Sequence, residues 1–466
     1  LLMLPSIAHA WWNDEWTFRK QITFNTGKTG ADLQQGLAEV PVLVRLHTGN
    51  FQYFTDVAAG GADIRFIDAD DQTPLKFHIE KFDVANQMAF IWVKAPKLAV
   101  GESSATIWMY YGNAKATPAQ DAAATYDKNQ ALVYHFDTVT GTPQDRTAHA
   151  IQPERSTVQP QAASLIGAGA RFDGSNMLTI PAAPALRVAA EQGWTFSAWI
   201  KPDGPQNDAY LLHSRDGDSA LVLGLQDHAA YARYRNAQGR VFETPKSSAL
   251  TPGAWHHVAV IAGAGYLRVY INGAEASSIE AALTDNGGTL TLGAADGGTN
   301  FFKGEMDEVQ IANIARTADW IKAAVHGQGG EGGLLSFGED EQAQNAGGTS
   351  YFMVTLQNVT VDGWVVIGVL AIMGVISWIV MFGKGLVVGR VRKDNRAFLQ
   401  QFKQLGTGDP HALDAIESDE EKAFEHSPVS MVLFGKHDHF QGSSLYHIYH
   451  AGVREVDLRL GRAVGA

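Results

Sequence analysis

No cysteine occurs in the 466 residues, which excludes a disulfide framework and any thiolate metal site and leaves the compartment to be read from targeting features. Basic residues are in deficit, with 36 Lys and Arg against 49 Asp and Glu and a formal net charge of -13. A chain without a general basic surface is not built to hold nucleic acid. No G-x-S-x-G, H-E-x-x-H or phosphate-loop pattern is present, so nucleophile-elbow, zinc-protease and nucleotide readings have no foothold. One stretch lacks charge altogether: from Trp364 to Phe382, within GWVVIGVLAIMGVISWIVMFGKG, about nineteen residues pass without Asp, Glu, Lys, Arg or His. That is close to the roughly twenty needed to cross a hydrocarbon core as a helix, and it offers no proton relay or ion site of its own.

What is present reads as several units. LLMLPSIAHA, residues 1–10, is an apolar run followed by Ala8 and Ala10 in small-x-small spacing, the pattern of a signal-peptide remnant. The other end, LRLGRAVGA, stops in a helical pattern without a terminating signal; both ends read as truncated. Residues 11–120 alternate in strand fashion between Gly, Asn, Asp and Pro punctuation, which predicts an antiparallel β-sandwich. In QMAFIWVKA the apolar residues do not alternate, so that strand is expected to be buried on both faces. Trp11, Trp12 and Trp16 are either a ligand platform or, as aromatics at a domain start more often are, the closure of a core. Residues 131–338 carry short strands at about ten-residue intervals, the face of a second sandwich. YLRVYINGAEA predicts a tight hairpin on Asn272-Gly273.

Within that second region ARFDGSNMLTIP, WTFSAWIKP, TPGAWHHVAV, LRVYINGAEA and FKGEMDEVQIANIARTADWI follow one another as they do in laminin-G-like domains. The region resembles the concanavalin A-like lectin and glucanase superfamily, a jelly roll, over about two hundred residues. The first region resembles a β-domain of unknown function often found ahead of such a module. The lectin resemblance implies carbohydrate binding and suggests Asp173 and Asp307 as calcium ligands, calcium being an ion that favours oxygen donors. The alternative for Asp307 is a carboxylate satisfying turn amides. Hydrolases of the superfamily place two Glu on one strand in an E-x-D-x-x-E type pattern. In GEMDEVQ, alternation puts Glu305 and Asp307 on one face and Glu308 on the other, which disfavours an enzyme.

Residues 339–361, beginning EDEQAQNAGGTS, have linker composition, 362–388 hold the transmembrane helix, and 389–466 turn helical. Asp362 precedes the span and Lys384, Arg390, Arg392 and Lys393 follow it, so the positive-inside rule puts the C-terminus in the cytoplasm. Gly368, Ala371, Gly374 and Ser377 step by three; they either let helices approach or reflect the ordinary frequency of small residues in membrane spans. SSLYHIYHAGVREV, Ser443 to Val456, resembles the cytoplasmic helix after the first span of the MotA/TolQ/ExbB proton-channel family. That resemblance implies a homo-oligomeric bacterial inner-membrane channel or motor subunit, driven by proton-motive force and working with an ExbD/TolR-like single-span partner. His437, His439, His447 and His450 with Asp438 admit a metal reading, which packing explains as well; His256 and His257 point to opposite faces of a strand. The architecture expected is therefore multidomain: two antiparallel β-sandwiches, one transmembrane helix and cytoplasmic α-helices. The function expected is a channel or motor subunit with a periplasmic ectodomain that binds glycan, peptidoglycan or an envelope protein. The alternative is a membrane-tethered carbohydrate-binding or adhesion protein without channel activity.

Overall fold

A computed structural model describes residues 11–101, 105–138, 142–330, 333–343, 361–405 and 443–464. The signal-like residues 1–10, the linker beyond residue 343, and His437, Asp438 and His439 lie outside them. The chain divides into two units, residues 1–347 and 348–466.

The first unit contains both sandwiches. In the first, Phe18–Phe24 lies between Leu335–Gln342 and Ala105–Tyr111, with Arg65–Asp68 beyond. The facing sheet runs Leu37–His47, Met88–Leu98, Phe77–Asp83. Alternate residues of both sheets, among them Ile22, Phe24, Val42, Val44, Ile91, Val93, Ile107 and Met109, fill one core. Strand Met88–Leu98 is covered on both faces, as its unbroken apolar run predicts: Ala89, Ile91 and Val93 point into this core, while Phe90 and Trp92 meet Ile166 of the second sandwich. The three N-terminal tryptophans cover the outer face of the four-stranded sheet, packed on Ile67, Trp108 and Tyr110. Trp16 donates its Nε1–H to the Asp63 carbonyl at 2.6 Å. The buried Arg19 lies 3.9 Å from the Trp108 ring centroid and pairs with Asp71.

Strand Leu335–Gln342 departs from the expected plan, which divided it between the second domain and the linker. It pairs with Phe18–Phe24, Phe18 opposite Gln342 and Phe24 opposite Leu335. The acidic residues that resemble a linker are tied down individually: Asp340 takes Lys20 at 2.8 Å and the Tyr111 hydroxyl at 2.7 Å, and Glu341 takes Arg19.

The second sandwich pairs an eight-stranded sheet with a seven-stranded one around Phe172, Trp194, Phe196, Leu223, Val260, Leu292, Met306 and Ile311. The Asn272-Gly273 hairpin forms as expected, both residues having positive φ (49° and 88°). Helix Ala318–Gln328, capped by the Thr317 side chain on Trp320 N–H, joins both sandwiches: Ile321 packs on Ala259, Ile261 and Tyr270, and Ala323 enters the first core.

In the second unit one helix, Val361–Leu405, runs without interruption where a span and a separate cytoplasmic helix were expected. Its 45 residues make it roughly 68 Å long, against about 30 Å of hydrocarbon. By length and composition it can cross a membrane. Helix Ser444–Val464 docks on its far half: the Ser443 hydroxyl and the Leu445 N–H both donate to Asn395 Oδ1 (2.7 and 3.2 Å), Phe398 meets Tyr446 and Tyr449, and Phe402 meets Tyr449. His447 and His450 are exposed, His450 stacked on Tyr446.

Candidate functional site

The outer face of the eight-stranded sheet is covered in part by helix Ala318–Gln328 and in part by the first sandwich, and a polar cluster lies in the seam between the sandwiches. It arises from a strand that changes neighbours. Residues 303–306 pair with Gly169–Asp173, whereas 309–312 pair with Gln130–Tyr134. Against Trp194–Pro202 the register slips at the change, Asp307 facing Trp199 and Gln310 facing Ser197. Glu308 is the extra residue, with φ at 50°. A bulge of this kind bends the strand and re-aims a side chain.

The bulge overturns the alternation expected for GEMDEVQ. Met306 and Val309 point into the core, and both Asp307 and Glu308 turn to the covered face. Both are fully buried, and Glu305 nearly so at 9 % exposure. Asp307 accepts from Ile166 N–H at 3.0 Å and Glu308 N–H at 2.8 Å, the amide-satisfying role. Asp173 is exposed and holds the Ser175 amide and hydroxyl, both at 2.8 Å. It stands opposite Lys303, four residues from Asp307, or roughly 13 Å along the strand. Calcium bonds of about 2.3–2.6 Å cannot span that gap; the two carboxylates expected to share an ion do not converge.

A different set does. Glu80 also sits on a bulge, where Ile79 faces Ile91 but Lys81 faces Phe90. His135 follows strand Gln130–Tyr134 and precedes Phe136, whose φ is 55°. His135 Nδ1 lies 2.6 Å from Glu308 Oε1 and 3.6 Å from Glu80 Oε2, all three side chains fully buried. Its Nε2 lies 3.0 Å from Tyr126 Oη and 3.1 Å from His78 Nε2. Trp92 stacks on the imidazole at 5.2 Å and donates Nε1–H to Glu80 Oε2 at 2.8 Å; Gln310 donates to Glu308 Oε2 at 3.3 Å. Burial pushes the Glu80 carboxyl up to about 8 and that of Glu308 well above its usual range, and holds both histidines below theirs. None of Glu80, His135 and His78 is marked by any sequence motif. His78 and Glu80 share strand Phe77–Asp83, His135 lies more than fifty residues on, and only the docking of the sandwiches joins them.

The seven-stranded sheet presents the other outer face. Strand Ala229–Arg235 sends Ala230, Ala232 and Tyr234 inward and Tyr231 and Arg233 outward. Tyr231 lies across Gly224, where a Cβ would come within 2.6 Å of its hydroxyl, and donates to Asp208. The Arg233 guanidinium lies over Tyr231 at 4.8 Å, takes Glu243 at 2.6 Å and donates to Tyr210 Oη at 3.2 Å. Asn300 adds a bond to the Asp208 carbonyl. Tyr210, Arg233 and Asp208 are half-buried and Glu243 is exposed. The alternation in AAYARYR was the available signal for this patch.

A laminin-G-type sandwich with one face sealed and one open is the class this arrangement defines. Residues 172–322 match the family model of the concanavalin A-like lectin/glucanases superfamily, so the chain carries such a domain. Residues 60–151 match a domain of unknown function, DUF2341. No match to the MotA/TolQ/ExbB family accompanies them. Among solved structures, the binding domain of Paraclostridial Mosquitocidal Protein 1 is 17% identical with a TM-score of 0.37, covering 42% of this chain and 52% of that one. Domain 4 of AbnA, a GH43 extracellular arabinanase from Geobacillus stearothermophilus in complex with arabinotriose, is 20% identical with a TM-score of 0.35, over 42% of this chain and 97% of that one. The botulinum neurotoxin serotype D binding domain is 14% identical with a TM-score of 0.36, over 43% and 52%. This chain thus spans about half the length of the two toxin domains. Scores of this size carry no argument about ligand.

Proposed function

We propose that the protein is a membrane-tethered recognition protein of the bacterial inner membrane. Its concanavalin A-like domain, on the periplasmic side, binds a glycan, peptidoglycan or a glycan-bearing envelope protein. The observation that carries this reading is the open outer face of the seven-stranded sheet. There Tyr210, Arg233, Asp208 and Glu243 set a ring, a guanidinium and two carboxylates side by side. Sugars are met by this mixture, ring faces against their C–H surfaces and charged groups against their hydroxyls. In GEMDEVQ, Asp307 and Glu308 are buried and Glu305 is paired with Lys201 at 2.8 Å, and this reading gives none of them a catalytic role. The test is binding of the full chain, in detergent, to a glycan array and to peptidoglycan fragments. Arg233→Ala and Tyr210→Ala should each weaken capture by roughly tenfold, as loss of a charged or aromatic contact does; capture unchanged in both would refute the assignment.

A second reading keeps one specific observation. The helix carrying SSLYHIYHAGVREV docks through Asn395, Phe398 and Phe402 on a helix that continues well past the length of a span. That is the start of a helical bundle, and a simple tether has no need of one. In this reading the chain is a subunit of a MotA/TolQ/ExbB-type assembly, oligomeric and paired with an ExbD/TolR-like partner, and the ectodomain keeps its binding role. Proton flux into liposomes holding the chain with such a partner tests it; no flux above empty liposomes under an imposed gradient would dismiss it.

A further inference from the structure

The seam cluster has no part in the binding face, yet its construction is costly. Two carboxyls and two imidazoles are packed where water cannot screen them, and leaving buried charge uncompensated is among the most destabilising arrangements a fold can hold. The backbone is bent to bring them there: Glu80 and Glu308 each occupy a bulge, one in each sandwich, and Glu308 and Phe136 adopt left-handed φ without being glycine. Glu80 Oε1 and His78 Nδ1 remain buried with no hydrogen-bond partner. One ligand atom from each of Glu80, His135 and Glu308 falls within 4.8 Å of the others.

We propose that Glu80, His135 and Glu308 bind one divalent first-row transition ion of the zinc class and that this ion clamps the two sandwiches together. Two carboxylates and a neutral imidazole balance the charge of a dication. The mixed nitrogen and oxygen donors suit zinc and its neighbours, whereas calcium and magnesium take oxygen. Ligands on a tetrahedral ion with bonds of about 2.0–2.1 Å stand roughly 3.3 Å apart. The 3.6 Å between His135 and Glu80 already fits, and the 2.6 Å between His135 and Glu308 is a hydrogen bond that the ion replaces. With the one proton of the neutral imidazole on Nε2, facing Tyr126 and His78, Nδ1 is free to bind the ion; the proton between Nδ1 and Glu308 belongs to the Glu308 carboxyl and leaves to solvent on binding. Trp92 and Gln310 hold the two carboxylates in place from behind. Glu80 Oε1, or His78 after a ring rotation, completes the coordination. With all three side chains fully buried, the site is closed, which is the form of a structural ion rather than a catalytic one.

The test is the metal content of the full chain purified in detergent, before and after loading with zinc and gel filtration. One zinc-class ion per chain, a thermal transition raised by zinc and lowered by a chelator, and a visible absorption band on cobalt substitution are expected. Glu308→Gln and Glu80→Gln keep the side-chain shape and the Gln310 and Trp92 contacts, and should lower zinc retention by roughly tenfold or more. The wild-type measurement decides even if both variants misfold. A chain that retains no zinc after loading and melts unchanged overturns the proposal, as does zinc retained equally by both folded variants or a site that takes calcium as tightly as zinc.

Discussion

His257 offers a quantitative test of how the second sandwich is sealed. Its side chain lies on the covered face of the eight-stranded sheet, fully buried, edge-on to the Trp199 ring at 5.3 Å, with Nδ1 unpartnered. Trp199 is fixed in turn by donating to Gln328 at 2.8 Å. No acid faces the imidazole, and burial alone pushes its pKa down to about 3. The unfolded ring, titrating near 6.5, takes up a proton that the folded ring refuses, so stability is complete above that value and falls as pH falls. Between about pH 7.5 and about pH 5.5 the loss is about RT ln 10, or about 1.4 kcal/mol, whatever the folded value, provided it lies well below 5.5. The assay is urea unfolding of the full chain in detergent at both pH values, for wild type and His257→Leu. Other buried histidines steepen both curves equally, so the difference between the two pH dependences isolates this ring. His257→Leu should also cost little stability at the higher pH, since the Nδ1 it removes is buried without a partner. Identical pH dependences in the two proteins would refute the burial argument.

Other outcomes follow from particular contacts. Arg19→Met strands Asp71 on the tryptophan-lined outer face of the first sandwich and should cost about 3–5 kcal/mol in urea unfolding, with Arg19→Met/Asp71→Asn costing less than the sum of the two singles. Gly273→Ala meets no close atom, its nearest neighbour being at 3.7 Å. Its cost should therefore be only the left-handed strain of roughly 1–2 kcal/mol, measured in the same way. Phe398→Ala removes the ring that holds Tyr446 and Tyr449 and should make helix Ser444–Val464 cleave faster under limited proteolysis, with the β-region unchanged.

Sequence pattern was a good guide wherever a local rule governs. The Asn-Gly hairpin requires positive φ at two residues and has them. The unbroken apolar run of Met88–Leu98 does lie between two cores, and the uncharged stretch after Trp364 is a single helix. The pattern failed where one residue changes the count. Period-two alternation assigns Glu308 to the wrong face because it cannot see an inserted residue, and that bulge exists because the strand trades one neighbour for another, a fact of topology. Polar composition similarly made EDEQ look like a linker; its carboxylates are answered by Lys20, Arg19 and Tyr111 from the other end of the domain. Asp173 and Asp307, suggested by resemblance, are separated by register. The seam cluster joins Glu308, which lies in GEMDEVQ, to His78, Glu80 and His135, from two distant segments that carry no motif.

Strand Leu335–Gln342 has a mechanical consequence. It is the last described strand of the first unit. It lies antiparallel along the first described strand, bonded from Phe18 to Phe24. A load applied along the chain at its C-terminal end runs lengthwise through this strand. Its ladder is then loaded in shear, all bonds together rather than one at a time, with the Lys20–Asp340 and Arg19–Glu341 pairs as side struts. The same closure sets the order of assembly: the first sandwich cannot complete its sheet until the entire second sandwich has been made.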